Sequence, residues 1–202
     1  MSMNLWYAQI SPELLEKIIA NPGLTKAIYE VELRQKMVEL QERISGDPLF
    51  VEAFSQLNYN FDALALNYSF DQSLIPFSPD EKIYSLQIDT IWHALHFLIT
   101  GEEKEQGKLP IGKVIMGGTP IGEEVGYGPA RYLRPAEVSN VAEALNSISD
   151  EELQQRDLTL LEELYGHFSQ EELPLLLEVF KDLVKFYQEA ADRGNAILIY
   201  MT

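Results

Sequence analysis

The apolar positions of this chain change spacing several times, and each spacing predicts an element. Asn4 to Ile10 (NLWYAQI) is a short run dense in apolar and aromatic residues, which predicts a buried strand. Ser11-Pro12-Glu13 then offers an N-cap, a first-position proline and a first-turn acid for a helix through Ile19. Asn21-Pro22-Gly23 stops it. Between Leu24 and Ile44 the apolar residues Tyr29, Leu33, Met37, Leu40 and Ile44 recur every three or four positions, leaving Glu30, Arg34, Glu39 and Glu42 to water. That spacing predicts a long amphipathic helix. Its stripe suits the core or a second copy of the chain equally well. Gly46-Asp47-Pro48 breaks the run, Leu49 to Leu57 reads as a short helix, and Asn58 to Lys82 has no clean period.

Further on, Asp89 is placed to cap a helix from Thr90 to Ile99 that Thr100-Gly101 closes. Glu102 to Lys108 is a charged surface loop, and Lys113 to Met116 reads as a strand leading into a glycine-rich segment that ends near Arg131. Pro135 opens a helix through Leu145. Ser149-Asp150-Glu151-Glu152 and Ser169-Gln170-Glu171-Glu172 both have the spacing of a reciprocal capping box. The final helix runs to Asp192 and starts either there or at Pro174, since an interior proline costs about 3 kcal/mol. Gly194 supplies a left-handed cap, and Ala196 to Met201 (AILIYM) does not alternate, so it predicts a strand covered on both faces. Strands at both ends with helices between them predict an α+β fold. One small mixed sheet would hold the N- and C-terminal strands together, packed against several helices, in a single domain over residues 1–202.

Composition narrows the chemistry. The 202 residues are 46% hydrophobic, enough to bury a core. Cysteine is absent, which removes disulfides, thiolate metal sites and cysteine nucleophiles together. The first residues lack the basic and apolar regions of a signal peptide, and no apolar run approaches the roughly 20 residues that cross a bilayer, so a cytoplasmic location is expected. Thirty-two acidic against 15 basic residues give a net charge of −17. Such a surface repels nucleic-acid phosphates and anionic lipids and favours a protein partner that is itself basic.

Three stretches resemble the YfbM-like family of uncharacterised bacterial proteins. They are Ile88 to Gly101 (IDTIWHALHFLITG), Gly117 to Leu133 (GGTPIGEEVGYGPARYL) and Phe186 to Ile199 (FYQEAADRGNAILI). The resemblance implies an α+β fold and no particular activity. The family usually has a threonine where Arg134 stands, which implies an altered cap for the helix that Pro135 starts.

Residues 117–131 hold five of the twelve glycines. Glycine at that density lets ligands approach backbone amides closely. No Lys-Ser or Lys-Thr follows the last glycine, and Gly126-x-Gly128-x-x-Arg131 lacks the third glycine of a dinucleotide fingerprint. No cofactor is therefore indicated. The segment still offers Gly117, Gly118, Gly126 and Gly128 as backbone donors, Arg131 as an anion clamp, Tyr127 for stacking, and Glu123 beside Glu124. The bland reading is a loop packed by its own aromatics, with Arg131 paired to Glu123 or Glu124. His93 and His96, three apart on one helix, would share a face and could take a metal with Glu123, although the helix around them is strongly apolar. His167 falls on a distant segment.

No catalytic motif names an activity. Three readings follow, in order of preference. The first is an acidic binding or regulatory protein that meets a partner, as immunity-type proteins do. The second is a small-molecule-binding or enzymatic site at loop 117–131. The third is a metal-dependent enzyme using His93 and His96.

Overall fold

A computed structural model describes residues 3–29, 83–102, 109–124, 126–159 and 171–202. The expected helices over 30–44 and 49–57, the stretch 58–82, the loop over 103–108, the capping pattern that begins at Ser169, and His167 lie outside the described residues. Chain contacts divide into two compact units, Met1–Pro22 with Lys82–Thr202, and Gly23–Glu81. Of the second unit the described part is 23–29, helical from 24.

The larger unit is built on one antiparallel sheet. Its elements are β1 (Leu5–Ile10), α1 (Pro12–Ala20), β2 (Tyr84–Ile88), α2 (Trp92–Thr100), a 3-10 turn (Ile111–Lys113), β3 (Thr119–Glu124), β4 (Pro129–Leu133), α3 (Pro135–Asn146), α4 (Asp150–Gln154), α5 (Leu173–Asp192) and β5 (Ala196–Met201). The strands lie in the order β2-β1-β5-β4-β3. The first and last strands are neighbours along their whole length, from Leu5 opposite Met201 to Ile10 opposite Ala196. The α+β class is as expected. Among the described residues the four strand pairings are all antiparallel, where a mixed sheet was expected.

All six residues of β1 and the first five of β5 are buried, which is why neither strand alternates. One face presents Leu5, Tyr7, Leu133, Ile197 and Ile199 to a core completed by α2, α3 and α5. In α5 the buried residues Leu173, Leu176, Phe180, Leu183, Phe186, Tyr187 and Ala190 repeat at helical spacing and form one stripe. On the other face Trp6, Ala8, Ile10, Leu198 and Tyr200 are also buried.

Local signals set most boundaries. The hydroxyl of Ser11 accepts the Leu14 amide at 3.1 Å and starts α1. Ser149 does the same for Glu152 in α4. Gly194 sits at φ +66° after α5, and the Asn195 amide closes on Ala190. A buried glutamine then ties α5 to the sheet. Gln9 donates to the Phe186 carbonyl at 3.0 Å and accepts from the Arg193 guanidinium at 2.8 Å, so neither end of its amide is stranded in the core. Arg193 also lies over the Tyr84 ring, 4.1 Å from its centre.

Three local expectations are corrected. Lys113–Met116 is not a strand: Lys113 ends the 3-10 turn, and residues 114–116 continue from it as a tight turn. Its apolar Val114 and Ile115 are buried from a turn, which a composition of that kind cannot distinguish from a strand. The glycine-rich segment is a hairpin, β3 and β4, in place of an open loop. Finally, α2 starts at Trp92 without a side-chain cap, and the Asp89 carboxylate accepts from Gln87 instead.

Candidate functional site

The hairpin consumes much of what its sequence offers. Arg131 reaches back within it and donates to the Gly118 carbonyl at 3.0 Å, half-buried. The acid pairing expected for it at Glu123 or Glu124 is replaced by this backbone contact. Gly117 is buried, and a Cβ there would overlap the Cα of Lys113, so the missing side chain lets the 110–114 turn pack close. Gly126 has φ +87°, and a Cβ on it would meet the Met201 carbonyl at 2.5 Å. The next amide, Tyr127, donates to that same carbonyl at 2.8 Å. The bend of the hairpin therefore leans on the end of β5. Gly128 leads into β4 with open space where a Cβ would stand. Glu123, Glu124 and the Tyr127 ring, 47% exposed, point to solvent at this end of the sheet.

The two histidines lie on α2, away from any such opening. His96 is 1% exposed and His93 half-buried, with its ring 5.1 Å from that of Trp92. Among the described residues, no three His, Asp or Glu side chains gather closely enough to hold a metal ion, so His93, His96 and Glu123 do not form a shared site.

A groove opens elsewhere, between the 109–113 turn and the outer face of α3. It has a volume of about 580 Å³ and is lined by Leu109, Pro110, Lys113, Glu137, Asn140, Glu143, Ala144 and Ser147. None of the nine site residues predicted from sequence lines it. The α3 residues recur at helical spacing, so a single face of one helix forms the long wall. Leu109 stands 68% exposed on the opposite rim.

This wall and rim are held rigidly. Tyr7 of β1 and Tyr187 of α5, both fully buried, donate to the same carbonyl, that of Val114, at 3.0 and 2.8 Å. Burial pushes both phenols well above the ordinary tyrosine range, so they remain protonated donors through neutral pH. Lys113 pairs with Glu137 across the groove. Glu137 also accepts the Arg134 amide at 2.9 Å, which is half of a capping box. Burial pushes the Glu137 carboxyl up, but the Lys113 ammonium and the Arg134 amide outweigh it and hold the group below the usual carboxylate range. Arg134 has no side-chain oxygen to complete the box. Its guanidinium crosses Tyr132 at 5.6 Å and pairs with Glu16 of α1 at 2.7 Å. The altered cap thus becomes a tie between α1 and α3.

A family model described as a domain of unknown function, DUF1877, matches residues 1–200. The chain belongs to that family. No curated protein matches it. Among solved structures, the DUF1877 chain is similar to a protein of unknown function, YfbM from Escherichia coli, at 15% identity and a TM-score of 0.56. That likeness covers 98% of this chain and 99% of that one. At such identity it shows the fold alone.

For this DUF1877 chain the groove carries signals that a sequence can show only in part. Glu137, Asn140, Ala144 and Ser147 trace one face of a predicted helix, with Glu143 at its edge. What places Leu109 and Lys113 opposite them is the 3-10 turn, and the apolar run over 113–116 conceals it.

Proposed function

We propose that this chain is a binding protein that docks a basic protein partner in the groove between the 109–113 turn and α3. One observation carries the reading. A turn pinned by two buried tyrosine hydroxyls holds an exposed leucine over a groove, opposite a helix face that carries Glu137 and has Glu143 at its edge. Fixing an apolar side chain in water adds nothing to the core, whereas a preorganised wall reduces the cost of binding. The groove lies between a turn and one side of a single helix, which suits a protein segment better than a small ligand that needs enclosure. The net charge of −17 favours a cationic partner and speeds its approach.

A small-molecule site at the hairpin has less support, since Arg131 spends hydrogen bonding on Gly118 and the groove lies elsewhere. The test is affinity capture from the native host with the unaltered chain and with Leu109→Asp, at low and moderate salt. The expected result is a stoichiometric basic protein that weakens as salt rises and is lost, by about tenfold or more, with the variant. Equal recovery on both baits, or no stoichiometric protein, would overturn the proposal.

A further inference from the structure

Resting on the groove reading, we infer that the partner delivers one arginine to the C-terminal end of α3, where the Glu143 carboxylate and the Asn140 side-chain oxygen hold it. The groove is electrically uneven from end to end. At one end Glu137 is satisfied by the Lys113 ammonium and the Arg134 amide, a closed set with no net charge to offer. Glu143 lies further along, in the last turn of α3 (Pro135–Asn146), and that turn holds no basic residue. Glu143 and Asn140 are both exposed, and neither side chain has a partner among the described residues.

Three properties of that end select an arginine. The last carbonyls of a helix form its negative end, so an acid in the final turn works against its own helix, while an incoming cation is drawn by helix and carboxylate together. Asn140 and Glu143 are three residues apart and therefore neighbours on the helix surface, about 5–6 Å between Cβ atoms. A guanidinium presents five N–H donors in a planar fork and can serve two such acceptors at once, whereas an ammonium gathers its donors on one nitrogen. Ala144 shares a face with Asn140, and Leu109 and Pro110 line the same groove, so the methylenes of an arginine stem meet apolar surface. The neutralised pair at the other end gives a second cation no hold, which fixes the direction in which the segment lies.

The test uses the full chain and three peptides, acetyl-Gly-Leu-Ala-Xaa-Ala-Gly-amide with arginine, lysine or citrulline at Xaa, titrated by NMR of the backbone amides. Saturable shifts are expected along 140–147, with arginine about threefold tighter than lysine and about fivefold tighter than the neutral citrulline. Asn140→Ala should bring arginine down to lysine, and Glu143→Gln should bring it down to citrulline. Glu151→Gln, at an exposed acid of α4 outside the groove, removes the same net charge and should leave the order of the three peptides intact. Glu143→Gln should also raise the melting temperature by about 1–2 °C, since it takes an acid from the negative end of α3. Equal affinities for arginine and lysine, a preference that survives both groove variants, no saturable shift at 140–147, or a lower melting temperature for Glu143→Gln would overturn the inference. If that happens while Leu109→Asp still abolishes capture of the host partner, only the arginine assignment fails. If Leu109→Asp leaves capture intact, the groove itself is refuted.

Discussion

Val114 shows how a single carbonyl can organise a surface. Its oxygen accepts hydroxyls from β1 and α5 together, so the turn that bears Leu109 and Lys113 is fastened to two elements far apart in the chain, through Tyr7 and Tyr187. The rings themselves meet edge to face at 6.1 Å. Removing one hydroxyl leaves the carbonyl with its other donor. Tyr7→Phe or Tyr187→Phe alone should therefore cost about 1 kcal/mol. The double variant strands a buried carbonyl and should cost more than the sum of the two, by about 1–3 kcal/mol. Urea denaturation of all four proteins checks this, and simple additivity would mean that the hydroxyls do not share a role. Gly117 belongs to the same construction. Its value is the room it leaves for the Lys113 backbone, a steric role that a glycine count in the sequence suggests only vaguely.

At the scale of elements, helices with explicit caps are legible in the sequence and segments rich in glycine and proline are not. Ser11 and Ser149 mark the starts of α1 and α4 because a hydroxyl one residue ahead of a helix satisfies a free amide. The terminal strands are legible because burial on both faces leaves no alternation to misread. Tyr84–Ile88 alternates apolar and polar residues, and this strand's signal is visible in YSLQI once the ambiguous stretch before it is set aside. The hairpin is hidden by its own composition. Pro120, Glu123 and Glu124 occupy β3, the last strand of the described sheet, where proline and charge discourage pairing with another chain. The same residues read as a ligand loop only when the edge is unknown. Arg131→Met should loosen the hairpin by about 1 kcal/mol through loss of the Gly118 contact, yet leave partner capture unchanged. Calorimetry and the capture assay read the two effects separately, and loss of capture would return the site to the hairpin.

The whole molecule combines a rigid sheet platform with a surface of strong negative charge. The five strands fix β1, β5 and β4 in the centre, and α3 and α5 pack over them, so the groove is a feature of the frame and not of a free loop. No helix among the described residues is long and apolar enough to cross a membrane. Membership of DUF1877 and likeness to YfbM account for the fold, and the groove is where the exposed leucine and the pinned turn meet the polar side of α3. Position-resolved photocrosslinking in the native host tests that convergence most directly, with a crosslinking residue at Ala144 in the groove and, separately, at Tyr127 on the hairpin. A discrete adduct with a basic protein is predicted from position 144, and none from 127. An adduct from 127 alone, or none from 144, would contradict a docking role for the groove.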